Sequence, residues 1–279
     1  MLEIGCKDFD IVHMGAASDK LSQNEFIIKF LSKNDSNDFI YRKLLDDEPF
    51  FAERIGANEL ECMVEYYYML NREKGGTSSY HDNLKLVMKR GAGFYPTEDS
   101  YLDRMVQIYT KNFQNMDFIW NMWLSRFENM LYMRFYNIRQ NIGKYKDTAF
   151  LYDIEKPWTE ALYGKKVLVI HPFEQSIKQN YENREKLHKN KKLLLEFKLI
   201  TFKPVQSIAD EMPGFSDWFE ALESMEQKIS NIDFDIALIA AGAYGLPLAE
   251  YCKSIGKKAL YIWDGCNFIL ALKGKHLIN

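Results

Sequence analysis

The stretch Asp235-Ile-Ala-Leu-Ile-Ala-Ala-Gly-Ala-Tyr-Gly-Leu-Pro-Leu-Ala249 decides how this chain is read. Its first part is a short, unbroken apolar run, the pattern of a strand buried on both faces of a parallel sheet. Its second part turns into a helix, because glycine permits a tight turn and proline suits the first helical turn. That helix is expected over Leu246–Ile255, closed by Gly256, and Ala259–Trp263 reads as the next strand. Upstream, Lys166-Val-Leu-Val-Ile170 is a second buried run, preceded by Gly164 and followed by helix-like residues 174–190 and a strand over Phe197–Phe202. Phe215, Trp218, Phe219, Leu222, Met225 and Ile229 recur at the spacing of one helix face. Strands separated by helices of this length imply right-handed βαβ units. The fold class expected is therefore α/β, a mostly parallel, doubly wound sheet with a clear βαβ part over about 156–279.

Residues 1–155 read as the helix-rich part. Leu102, Met105, Val106, Ile108 and Tyr109 follow helical spacing after the acidic start Glu98-Asp99. A further helix is expected over Glu59–Leu70 and others between Trp123 and Ile142, with short strands at Phe50–Ile55 and Asp117–Trp120. The chain shows no internal repeat, low-complexity tract or Pro/Gly-rich linker, so both parts are expected to share one sheet as a single domain, 1–279.

Composition narrows the function classes. Apolar residues make up 47% and charged residues 27% of 279, which excludes a disordered chain. Such a length buries about 75% of the surface of its unfolded form, so neither disulfide nor metal is needed to hold the core. A net charge of −3 excludes nucleic-acid binding driven by overall charge, and the charge-rich run Glu182–Lys192 reads as a solvated face. Cys6, Cys62, Cys252 and Cys266 show no zinc or CxxC spacing, as expected of free thiols in a reducing compartment. Residues Met1–Asp8 lack the basic start and apolar stretch of a signal peptide, and Ile236–Ala243 is too short to span a bilayer. The expected location is the cytoplasm.

In an open parallel sheet, ligands bind beyond the carboxyl ends of the strands. Those positions hold His171-Pro172-Phe173-Glu174, Lys203-Pro204, Gly242-Ala243-Tyr244-Gly245 and Asp264-Gly265. Free N–H groups at the Gly242–Pro247 turn suit a phosphate or another anion, and the same residues also suit a tight packing turn. Glu53-Arg54-Ile55-Gly56-Ala57-Asn58-Glu59 is a second strand-to-helix passage through glycine. Glu59 there has the chemistry to bind a divalent cation or orient a hydroxyl, or simply to complement a helix dipole. Arg54 can neutralise phosphate or fix Glu59. His171 can serve as general base, as hydrogen-bond donor or as a structural residue. Lys273 and Lys275 reach a phosphate if the tail folds over the same edge, and read otherwise as flexible surface lysines.

Arg54-Ile-Gly-Ala-Asn-Glu59, followed by a helix, resembles the Arg-x-Gly-Asp-Gly-Glu signature of the GT-D type glycosyltransferases. Gly164-Lys-Lys-Val-Leu-Val-Ile-His-Pro-Phe173, Asp235–Ala249, Gly256-Lys-Lys-Ala259 and Leu272-Lys-Gly-Lys275 are similar to a polysaccharide-cluster branch of that family. The resemblance covers roughly residues 50–275.

It implies a Rossmann-like sheet and an enzyme that moves a sugar from a nucleotide-diphosphate donor to a glycan or glycoconjugate acceptor, as in bacterial-type surface polysaccharide assembly. Glu59, His171 and Asp264 are the expected catalytic candidates. Arg54, Gly56, Gly242, Ala243, Tyr244, Gly245 and Lys273 are expected to hold the donor. A divalent cation, Mn²⁺ or Mg²⁺, is expected on Glu59, although Ala57 stands where the family has its aspartate and Asn58 where it has its second glycine. Neither nucleic acid nor a membrane span is implied, and a homo-oligomer is compatible with the reading. Two other classes remain open: a catalytically lapsed sugar-nucleotide binder or scaffold, and another Rossmann-like nucleotide-dependent enzyme. Against the latter, His171-Pro172 stands where a glycine-rich fingerprint would follow the strand.

Overall fold

Alternation along the strands distributes apolar side chains to two faces of one sheet, and each face has its own layer of helices. The computed structural model describes residues 30–71, 78–121, 141–144, 151, 153–207 and 214–262. Within them lie seven strands: β1 Phe50–Glu53, β2 Phe118–Asn121, β3 Asn141–Lys144, β4 Lys166–Ile170, β5 Lys198–Phe202, β6 Ile236–Ile239 and β7 Lys258–Tyr261. They form a single, all-parallel sheet in the order β3-β2-β1-β7-β6-β4-β5, a Rossmann-like α/β arrangement.

Eight helices are described: α1 Lys33–Leu45, α2 Ala57–Asn71, α3 Asp82–Val87, α4 Asp99–Gln114, α5 Glu174–Glu182, α6 Arg184–Leu187, α7 Trp218–Ser230 and α8 Gly245–Ser254. Phe51, Ile119, Leu168, Ile170, Ala237, Ile239 and Ala259 point to one face, where they pack on α2, α4, α7 and α8. The alternate residues Phe50, Ala52, Phe118, Val167, Val169, Ile236 and Leu238 point to the other, onto α1, α5 and the 3-10 turn Trp158–Leu162. Local chemistry sets the helix ends. Asp217 caps α7 by accepting from Glu220 N at 2.8 Å, and Gly256, at φ 80°, ends α8.

The helix-rich part contributes three of the seven strands. Two lie where the sequence places them, within a residue or two at each end. The third, β3, corrects the helical expectation up to Ile142: Asn141 and Ile142 pair with Phe118 and Ile119. The rest of the 123–142 stretch lies outside the described residues. Residues 174–190 resolve into α5, α6 and an extended turn rather than one helix.

The order of the strands creates one crevice. From β4 the chain crosses through α5 on one face to β5, whereas from its neighbour β6 it crosses through α8 on the other face to β7. The two connections depart in opposite directions, so the carboxyl ends of β4 and β6 flank a topological switch point.

Candidate active site

The carboxyl edge of the sheet collects the strand-end residues. β1 ends in Glu53 and passes through Arg54-Ile-Gly56 into α2, which carries Glu59 in its first turn. Beside β1 runs β7, ending in Tyr261, and the Arg54 guanidinium lies 4.7 Å from the centre of the Tyr261 ring. Next come β6, with the Gly242–Tyr244 turn leading into α8, and β4, followed by His171. Arg54, Gly56, Glu59, His171 and Gly242–Gly245 thus share one edge. From β1 to β4 is three strand spacings, about 14 Å. His171 and the Arg54–Glu59 turn therefore stand at opposite ends of an elongated site. Asp264 and Lys273 lie outside the described residues.

Two side chains pack against the Gly242–Gly245 turn. Tyr109, from α4, donates its hydroxyl to Ala243 O at 2.5 Å. Glu53 Oε1 lies 2.9 Å from where a Cβ on Gly245 would stand. The close approach that a glycine permits at position 245 is thus made by a carboxyl group of the protein itself. Gly242 is the exposed residue of the turn, at φ 56°. Tyr244 faces inward: its ring stacks on Trp218 at 5.0 Å and its hydroxyl lies 3.3 Å from Ser207 Oγ. It anchors the turn, leaving Gly242 exposed at its start.

Electrostatics at this edge depend on burial. Glu53 is 1% exposed, its Oε2 accepts from Arg54 N at 2.5 Å, and its Oε1 has no hydrogen-bond partner. Burial pushes its carboxyl up to about 8, against the opposing pull of Arg54. Arg54 Nε is likewise buried and unpartnered. Glu59 is raised by burial too, with Arg54 as its charge partner, and its carboxyl folds back onto Gly56, where a Cβ would strike Oε2. The sequence reading gives Glu53 no role. A signal was available: in the buried run Phe50–Ile55, alternation places a lone carboxyl on the core face between Phe51 and Ile55.

His171 is 1% exposed, and burial lowers its imidazole to about 4. Its Nδ1 accepts from Phe173 N at 3.0 Å, which leaves the proton on Nε2. Of the roles open to it, hydrogen-bond donor fits this geometry and general base does not.

A cation is poorly served here. Ala57 offers no ligand, Glu59 is turned onto Gly56 beside Arg54, and Glu53 is buried against Gly245. A separate cluster, Glu61, Glu65 and His81, has the right residue types. His81 Nδ1, however, caps α3 by accepting from Leu84 N at 2.9 Å. Its Nε2 must then carry the proton that it shares with Glu61 and Glu65, at 3.3 and 2.9 Å, and has no lone pair for a metal. Among the described residues, neither group fits a divalent cation as it stands.

Comparison of the chain with protein-family models, with curated proteins and with solved structures found no match.

Proposed function

We propose that this chain is a glycosyltransferase that moves a sugar from a nucleotide-diphosphate donor to a glycan acceptor at the carboxyl edge of the sheet. One observation carries the reading. The Arg54–Glu59 turn and the Gly242–Gly245 turn, from opposite halves of the chain, meet at that edge where Glu53, the residue before Arg54, lies against Gly245. An elongated edge of about 14 Å suits an extended donor, with the Gly242 turn along it and Arg54 towards one end.

Each residue then has a distinct task. The Gly242 backbone, at the start of the turn into α8, and the Arg54 guanidinium stabilise the charge that develops on the leaving diphosphate. Arg54 is suited to this because its Nε–H is unpartnered while the Tyr261 ring holds the guanidinium plane. His171, buried behind the end of β4, holds the loop that follows through Nδ1 and Phe173 N. Glu59 accepts the proton of the acceptor hydroxyl, and its burial makes it a stronger base than an exposed carboxylate. No step is routed through a metal ion.

Ala57 favours a second reading, a donor-binding protein without turnover, since the family signature has a carboxylate at that position. A panel of UDP-, GDP- and CDP-sugars, read by thermal shift and by donor hydrolysis, separates the possibilities. A donor that stabilises the fold and is hydrolysed supports the enzyme. Stabilisation without hydrolysis or transfer supports the binder, and no response to any donor overturns both.

A further inference from the structure

Aromatic rings at the carboxyl edge differ in whether a ligand can reach them. Tyr261, at the end of β7, is buried and carries the Arg54 guanidinium. Trp120, near the end of β2, is buried, and Tyr244 is buried against Trp218. Phe173 is open. It stands just beyond β4 with 54% of its surface exposed. Of the large apolar side chains exposed among the described residues, Leu45, Leu70 and Leu86 lie in helices and Tyr163 precedes β4. Phe173 alone follows the carboxyl end of a strand.

Its ring is held in place. Phe173 N donates to His171 Nδ1 at 3.0 Å, and the two ring centres lie 5.3 Å apart. Phe173 O accepts from Ile177 N at 3.1 Å, which ties the loop to α5. Gln175, Ser176 and Lys178 beside it are polar and exposed, so the ring is an isolated flat face, far smaller than a protein interface. The position is the switch point. Ala240 N donates to Ile170 O at 2.8 Å, and beyond that bond the chain leaves as the Phe173 loop from β4 and the Gly242 turn from β6. Strand order then runs from Phe173 past Gly242 to Arg54.

We propose that Phe173 is the stacking platform for the base of a nucleoside diphosphate, so that the donor lies with its nucleotide half over β4 and β6 and its sugar towards β1. The inference rests on the glycosyltransferase reading and adds to it a base-binding residue and a direction. Base, ribose and diphosphate follow one another along a nucleotide. A base on Phe173 therefore sends the phosphates towards the Gly242 turn and Arg54, and the sugar towards Glu59. The reverse direction offers the base no open ring, since Tyr261 and Trp120 are covered. Every base has a π-face, so the ring selects a nucleotide over bare diphosphate rather than one base over another.

Calorimetry of the full chain with UDP, GDP, CDP and inorganic pyrophosphate, beside the corresponding sugar donors, tests it. The best nucleoside diphosphate is expected to bind at least about fivefold more tightly than pyrophosphate, the lower range for one stacked base. Phe173→Ala and Phe173→Leu should each weaken that nucleotide and its sugar donor at least about fivefold, whereas Phe173→Tyr, which keeps the ring, should retain both. Phe173 is half exposed, so these variants are expected to fold, and melting temperature checks it. Full affinity of Phe173→Ala or Phe173→Leu for a donor that the unaltered chain binds overturns this inference and leaves the glycosyltransferase reading in place. So does a loss in Phe173→Tyr equal to that in Phe173→Ala, or pyrophosphate bound as tightly as the nucleotide. Absence of binding by every nucleotide and every sugar donor overturns the reading and this inference with it.

Discussion

Glu53 and Gly245 occupy one space: the carboxyl oxygen Oε1 of the strand residue lies 2.9 Å from the point where any Cβ on the helix residue would sit. Each residue explains the other. The glycine leaves room for a buried carboxyl, and the carboxyl fills a gap at the start of α8. Through this contact β1 and the Gly242–Gly245 turn keep a fixed relation.

Gly245→Ala tests that coupling by the sign of its effect. In an ordinary helix the change stabilises by up to about 1 kcal/mol. Here the new methyl meets Glu53, which is held by Arg54 N, and we expect a loss of about 1–3 kcal/mol. In a Glu53→Ala background the obstruction is gone, and the same change should become neutral or stabilising. Denaturant midpoints of the four proteins decide it, and a destabilisation that persists without Glu53 refutes the contact.

Stability should fall as pH rises through the neutral range. The Glu53 carboxyl titrates near its ordinary value in the unfolded chain but at about 8 in the native one, so between these values the native state binds more protons. Its contribution is full below its ordinary value of 4.5 and declines until pH passes about 8. Glu226, raised to about 7 by burial beside Glu250 and Glu223, acts in the same direction. His171 has the opposite sign: lowered to about 4, it contributes above its ordinary value, and that contribution is lost as pH falls towards 4. Glu53→Gln should flatten the slope between roughly pH 5 and 8 and leave unchanged the opposing His171 contribution, which runs between about 6.5 and 4 and overlaps the lower part of that range. Urea midpoints across that range check both limbs.

Gly56→Ala should mimic the loss of Glu59. A methyl on Gly56 displaces the Glu59 carboxyl from its place on the Gly56 Cα while leaving its charge in the chain. Transfer by Gly56→Ala and by Glu59→Gln should each fall by at least about 10²-fold, the lower range for losing a positioned acid–base or electrostatic group. Donor binding should change much less, since Arg54 and the Gly242 turn remain. Full turnover in either variant removes Glu59 from the reaction.

Tyr109→Phe removes the hydroxyl that holds Ala243 O and nothing else. The expected cost is about 1 kcal/mol of stability, because a buried carbonyl loses its side-chain donor. If the Gly242 turn binds the diphosphate, affinity for the donor should fall with it. Calorimetry of donor binding and a urea curve on one preparation separate these effects. Unchanged affinity would confine Tyr109 to packing.

Local residue patterns were sufficient for six of the seven strands and for their parallel arrangement. The uninterrupted apolar runs at 166–170 and 235–240 have no polar face to offer solvent, and glycine before β4 and after α8 marks where the chain must turn. The carboxyl-edge positions of Arg54, Glu59, His171 and Gly242 follow from the same reasoning, since each comes directly after a strand. Strand β3 was not legible, because Asn141-Ile-Gly-Lys144 has too little apolar content to separate it from the expected helix. What a side chain does at the edge was not legible either. Burial lowers the basicity of His171, and a contact between residues far apart in the chain seats the Glu53 carboxyl against Gly245. Both depend on which atoms exclude water and which occupy a given space. Sequence spacing records secondary structure because its causes are local, whereas desolvation and close packing arise only when β1, β4, β6 and α8 are brought together.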